Sequence, residues 1–204
     1  FSTTQNVSTA IVQDALDCGA IPTSQFRVYA PLGSNFTVNS LKMGSFFAGT
    51  TQIFIYGYTG PTGGILNQTL MTLLGSSNAT AVPGGQTINT VNFAVPVVIP
   101  AGTQFVVEQR KTAGGPFVNA GNYAGETAPS YISCGSQAPP LPGTGLVPQT
   151  YANQGFGFIH LIQELSGTTL QLLDPTIVQT SGLPSGSEFP IGTTTNCFNL
   201  VNPT

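Results

Sequence analysis

The chain has 204 residues, 40% of them hydrophobic and only 5% charged, with four basic residues against seven acidic and a formal net charge of −3. That is far below the roughly 25% charge of an ordinary domain. It excludes the low-hydrophobicity, high-charge texture of disorder and the basic patch that nucleic acid needs. No apolar run reaches the roughly 18 residues of a membrane span, so a folded core must be solvated by the hydroxyls and amides of Ser, Thr, Asn and Gln.

The chain opens Phe1-Ser-Thr-Thr-Gln5 without an initiator Met, a basic segment or an apolar leader, which reads as a processed or trimmed product. Odd positions from Phe1 to Ile11 partly follow the period-2 pattern of a half-buried strand, so residues 1–12 are expected to be a strand lacking a local partner. Runs rich in β-branched and aromatic residues then recur between 25 glycines and 16 prolines: Phe26–Ala30, Phe36–Phe47, Thr51–Tyr58, Gln68–Leu74, Thr87–Ile99, Thr103–Arg110, Ser130–Cys134, Gly155–Leu165 and Thr176–Gln179. With no helical period, this cadence predicts an all-β antiparallel sandwich, immunoglobulin- or jelly-roll-like, with terminal strand extensions. Thr51–Tyr58 is apolar on both faces, as a central strand covered from both sides should be. Ile99-Pro-Ala-Gly-Thr103 reads as a tight connection into Gln104–Glu108, and the proline-rich stretch 135–148 as a surface loop.

From about Asp174 the texture changes, dividing the chain into a sandwich over 1–170 and a tail over 171–204. The tail offers about two strands. Two strands alone are marginal in water, so the tail is expected to borrow partners from the sandwich or from another chain.

Reactive side chains are sparse. Cys18, Cys134 and Cys197 form no C-x-x-C pair, and the single histidine cannot complete a zinc site with them. One disulfide plus an odd thiol fits an oxidising compartment, while three buried, inert thiols is the other reading. Acceptor triplets at Asn6, Asn35, Asn67 and Asn78 point to glycosylation, whereas Asn202 is excluded by the following proline. His160 sits among apolar neighbours without an orienting acid nearby in sequence, and reads as a core or edge histidine bonded to backbone. Asp14, Asp17, Glu126 and Asp174 are the loop carboxylates available to calcium, but no D-x-D-x-D loop exists. Neither a metal nor a cofactor is expected. Lys42 and Lys111 raise the question of a Lys–Asn cross-link, against the commoner snorkelling lysine. Tyr123, Tyr131 and Tyr151 are the loop-edge aromatics that could stack on a sugar.

The succession Phe26-Arg-Val-Tyr29, NFTVNSLKMGSFF, IFIYGY, LMTLLGSSNAT, VIPAGTQFVVE, NAGNYAGETAPSYISCG and FGFIHLIQELSGTT resembles a β-sandwich module of large secreted and surface proteins of Bacteroidetes-type bacteria, over Phe1 to Thr169. TIVQTSGLPSGSEFPIGTTTNCFNL resembles the C-terminal half of a hyalin repeat, an immunoglobulin-like adhesion module. The resemblance implies no catalytic residues and a surface location. It also implies a disulfide between Cys18, before the first FRVY-type strand, and Cys134, after the SYI strand; such a closed loop would stabilise by roughly 4–5 kcal/mol. Cys197 has no counterpart and is either a buried free thiol or an intersubunit partner. The chain is therefore expected to be a non-enzymatic extracellular subunit of a surface filament or adhesive fibre, with copies of itself as partners. Head-to-tail strand complementation would join the copies, through Val7, Ile11, Ile177, Phe189, Ile191, Phe198 and Leu200. The alternative is a carbohydrate-binding or adhesin module that meets surface glycans.

Overall fold

The computed structural model of the chain describes residues 23–62, 65–114, 118–122, 130–133, 149–150, 160–161, 163–169 and 176–201. It divides into two compact units, Phe1–Leu170 and Gln171–Thr204.

In the first unit, seven strands form one sheet: β1 (Thr23–Tyr29), β3 (Gly49–Tyr58), β4 (Met71–Ser76), β5 (Thr80–Val82), β7 (Phe105–Gly114), β9 (Ser130–Ser133) and β10 (Gln149–Thr150). Their order is β10-β9-β1-β7-β3-β4, with β5 also paired to β3. The second sheet contains β2 (Phe36–Ser45), β6 (Thr87–Ile99), β8 (Asn119–Asn122), β11 (His160–Leu161) and β12 (Gln163–Thr169). It runs β11-β8-β2-β12, with β6 on β2. Every pairing is antiparallel. The fold is the all-β antiparallel sandwich that the strand cadence predicted.

Alternation along the strands decides what fills it. Tyr29 lies opposite Phe105 and Ile55 opposite Val107, so these side chains share one face. That face packs against Phe36, Val38, Leu41, Met43, Val91, Phe93, Val97, Ile99 and Leu165 of the second sheet. The Tyr29 and Phe105 rings stack with centroids 5.0 Å apart. Each such side chain contributes roughly 1.5–3 kcal/mol on burial. The opposite phase of the same strands, Phe26, Val28, Phe54, Tyr56, Val106 and Tyr131, is buried as well and forms a second cluster with Tyr58, Leu66 and Met71. The larger sheet is thus covered on both faces, as the two-sided apolar pattern of residues 51–58 required.

Two devices shape the second sheet. Between Val38↔Val97 and Ser40↔Asn92 the register jumps, throwing Phe93–Pro96 into a bulge on β6. A proline cannot donate to a ladder, so Pro96 belongs in such a bulge or on an edge strand, where it also discourages further pairing. At the corner where β4 and β6 approach, a Cβ at Gly75 would lie 2.6 Å from Val97 Cγ2, so only glycine admits the contact.

Several boundaries differ from the expectation. The predicted strand over Gln68–Leu74 begins instead as a 3-10 turn, Gln68–Leu70, because the Asn67 side chain caps it by accepting from Thr69 N–H. The short strands β5, β8 and β10 were not anticipated; none of them carries an alternating apolar pattern.

In the second unit, β13 (Thr176–Ser181) and β14 (Cys197–Val201) form the two strands expected, but they pair with each other, Ile177 opposite Leu200 and Gln179 opposite Phe198. Among the described residues they borrow no third strand. Asn196 braces the base of their connection, its Oδ1 accepting from Leu183 N–H at 2.8 Å. Gln179 Nε2 adds a bond to the Leu183 carbonyl at 2.7 Å. Gly182 adopts φ +106°, and the Asn196 side chain occupies the space that a Cβ there would need.

Candidate functional site

A concavity of about 500 Å³ lies in the first unit where three connections meet strand β4. Its parts are Pro31 after β1, Gly57–Gly60 at the end of β3, Thr72 and Leu74 on β4, and the turn from Pro100 to Gln104 between β6 and β7. Gly102 has φ +71° and Thr103 N–H donates to the Pro100 carbonyl at 3.2 Å, the geometry of a glycine-dependent turn. That turn is tied to its surroundings. Gly102 N–H donates to Leu32 O and Ala101 N–H to Asn35 Oδ1, both at 2.8 Å. Gln104 Nε2 bonds Gly60 O, again at 2.8 Å. Gly57 opens the floor, since a Cβ there would come within 3.4 Å of the Thr103 methyl.

Among the described residues the lining includes Thr59, Thr72 and Thr103 beside glycine, proline and Leu74, with no carboxylate, amine or imidazole. Among the described lining residues Tyr58 supplies the only ionisable group, and that hydroxyl is engaged, donating to Pro61 O at 3.2 Å and accepting from Asn67 N–H at 3.3 Å. Such a groove can hold a neutral polar ligand. Moving a proton requires a base, and none stands among its described lining residues.

The ionisable groups gather elsewhere, on the outward phase of β1, β3 and β7. Glu108 is fully buried and its carboxylate accepts from Ser24 Oγ (2.6 Å), Tyr56 Oη (2.8 Å), Arg110 Nε (2.7 Å) and Arg110 Nη2 (3.1 Å). The Arg110 guanidinium also lies 4.1 Å from the Phe54 ring centroid. Burial pushes the Tyr56 phenol well above its ordinary value, and the Glu108 charge pushes it further. Burial works against the Arg110 charge, but the hydrogen bonds and charge of Glu108 outweigh it and hold the guanidinium above its usual range. A saturated carboxylate with no solvent access is a structural anchor. On the inward phase, Tyr29 Oη donates to Gln163 Oε1 at 2.9 Å, and burial raises its phenol to about 12 despite the nearby Arg27 charge.

The residues singled out from sequence scatter. Lys42 is half-exposed, and its ammonium pairs with Glu164 across β2 and β12 at 3.2 Å. Lys111 is buried. Tyr131 lies at 0% exposure in the second core cluster, which corrects its assignment as a sugar-stacking platform. Cys197 is a free, exposed thiol on β14, which overturns the buried-thiol alternative. Asn35, Asn67 and Asn78 are exposed. Ile177, Phe189, Ile191 and Phe198 are exposed too, Ile177 at 67% and Phe198 at 57%. The backbone of His160 pairs with Asn122. Asn6, Val7, Ile11, Asp14, Asp17, Cys18, Tyr123, Glu126, Cys134, Tyr151 and Asp174 lie outside the described residues. Among those described, no three His, Cys, Asp or Glu cluster as metal ligands, and no helix is long and apolar enough to cross a membrane. The groove escaped sequence reasoning. Its one signal was that Ile99–Thr103 reads as a tight connection, without any sign of what it meets.

No family model and no curated protein matches the chain. Among solved structures, the chain is similar to one of the cysteine protease and lectin-like domains of Cwp84, a surface layer associated protein of Clostridium difficile. The two are 10% identical with a TM-score of 0.48, over 82% of this chain and 36% of that one. The chain thus spans about a third of that protein's length, a likeness too slight to assign a function.

Proposed function

We propose that the chain is a non-enzymatic structural subunit of an extracellular surface assembly, in which a terminal segment of one copy is covered by the next. The observation that carries this reading is the second unit, a two-stranded hairpin paired only with itself among the described residues, with Ile177, Phe189, Ile191 and Phe198 exposed. Hairpins of this size are marginal in water, and exposed apolar groups of this size mark contact surfaces. A head-to-tail contact of unlike surfaces does not close, so it builds a fibre. The charge-poor surface and the sequence resemblance to surface-protein modules are in keeping with such a role. Negative-stain microscopy of material taken from the producing cells tests it: filaments are expected, and uniformly monomeric particles would end the reading.

The groove favours a second reading, a module that binds a neutral polyhydroxylated ligand such as a surface glycan. Threonine hydroxyls over an apolar floor suit a sugar ring with one apolar face. Filling the floor with Gly57→Leu should abolish the chemical-shift changes that neutral oligosaccharides induce in Thr72 and Thr103. Wild-type protein that shows no such changes across a glycan panel would remove this reading.

A further inference from the structure

Three acceptor triplets fall within the described residues, Asn35-Phe-Thr37, Asn67-Gln-Thr69 and Asn78-Ala-Thr80, and all three asparagines are exposed. Their side chains are differently engaged. Asn35 Oδ1 accepts from Ala101 N–H at 2.8 Å and so holds the neighbouring turn. The Thr80 hydroxyl donates to the backbone carbonyl of Asn78 at 3.1 Å, not to its side chain. Only at Asn67 do the two working groups of the triplet meet. Thr69 Oγ1 donates to Asn67 Oδ1 at 2.8 Å, and Thr69 N–H donates to the same oxygen at 3.0 Å. A carbonyl accepting two hydrogen bonds draws electron density from its amide nitrogen and makes the N–H protons more acidic. Asn67 Nδ2 itself makes no hydrogen bond among the described residues.

The surroundings supply a second, independent reason. Ile65, Leu70 and Leu73 are exposed at 54%, 36% and 41% beside this triplet, on a chain with very little charge to solvate an apolar patch. The first sugars of a glycan cover apolar groups with their C–H faces and turn their hydroxyls to water.

We infer that Asn67 is an N-glycosylation site whose glycan shields the apolar turn around it. In the transfer, Asn67 Nδ2 forms a bond to the anomeric carbon of an oligosaccharide carried on a polyprenyl diphosphate. The bond from that carbon to the phosphate oxygen breaks, its electron pair leaves on the diphosphate, and Nδ2 yields one proton to a base of the transferring enzyme. The inference rests on the surface location proposed above.

Peptide-level mass spectrometry of the protein from its producing cells is the test. The peptide containing Asn67 should carry a sugar mass, which Thr69→Ser retains and which both Thr69→Ala and Asn67→Gln lose. A bare Asn67 peptide in the wild-type protein, or a sugar mass that survives Thr69→Ala, would overturn it. Microscopy of the same preparation separates the two proposals. Filaments with a bare Asn67 refute only the glycan, and a glycosylated protein without filaments refutes only the assembly.

Discussion

Glu108 shows how a single carboxylate can organise one face of a sheet. Four hydrogen bonds from Ser24, Tyr56 and Arg110 converge on it at zero exposure. Glu108→Gln would turn an amide N–H₂ toward the guanidinium and leave a largely buried charge uncompensated. A loss of about 3–5 kcal/mol is expected, read as a lower urea midpoint with an unchanged slope; a loss under about 1 kcal/mol would show that the cluster is not an anchor. Tyr29 makes the complementary pH prediction. Its phenol is held at about 12 when folded, above the value near 10 of the unfolded chain. The folded state therefore keeps this proton longer, so the associated stability is complete below about pH 10 and is lost as pH rises toward 12. Tyr29→Phe should flatten that alkaline decline by up to about 3 kcal/mol, while costing about 1 kcal/mol at neutral pH because Gln163 Oε1 loses its donor. Denaturant titrations at neutral pH and through the alkaline range read both effects. The strand over Thr103–Arg110 was legible in the sequence, while the pleat that turns Phe105 and Val107 inward follows from its pairing. That Glu108 is fully buried, with Arg110 partly buried beside it, was not legible, because the burial of a sheet's outer face depends on what covers it.

Among the elements, strands were legible where packing and propensity agree. Thr87–Ile99 was read in full, and β2 and β3 nearly so, because β-branched side chains fill them and their neighbours are distant in sequence but similar in pattern. β8 is Asn-Ala-Gly-Asn, and only its pairing to Gly44, Ser45 and β11 makes it a strand. β12 gives the sharpest test at this scale. Its register shifts between Ser166 and Gly167, and a Cβ at Gly167 would collide with the Thr37 carbonyl oxygen of β2. Backbone cannot swing aside as a side chain can. Gly167→Ala should therefore destabilise the sandwich by about 1–3 kcal/mol or more, whereas Gly33→Ala, with nothing within 4 Å of its Cβ, should stay within about 0.5 kcal/mol. Equal melting temperatures for the two variants would contradict the close approach. The groove belongs to the same lesson: the Ile99–Thr103 connection could be named from its Pro and Gly, but its convergence with Gly57–Gly60 and β4 is a property of the closed sandwich.

At the scale of the whole molecule, scarcity of charge sets the terms of association. With four cations and seven anions in 204 residues, neither attraction nor repulsion between copies is strong, and salt has little to screen. In the proposed assembly, contact between copies would then come from apolar area and backbone pairing, and the second unit offers both. Ile177 and Phe198 lie on one face of the β13–β14 hairpin, since Ile177 is two residues from Gln179 and Gln179 sits opposite Phe198. Aspartate at both positions places two charges on that face without removing any buried side chain, as both residues are more than half exposed. Exposed substitutions of this kind change stability by roughly 0.5 kcal/mol or less, but each would forbid dry contact with a neighbour, because burying an unpaired carboxylate is prohibitive. The Ile177→Asp, Phe198→Asp double variant is therefore expected to keep the wild-type urea midpoint, eluting as a monomer where the wild type assembles. Assembly should also survive a change from low to high salt. Filaments that persist in the double variant would remove the hairpin face from the contact, and a lowered midpoint would show that this face packs within its own chain.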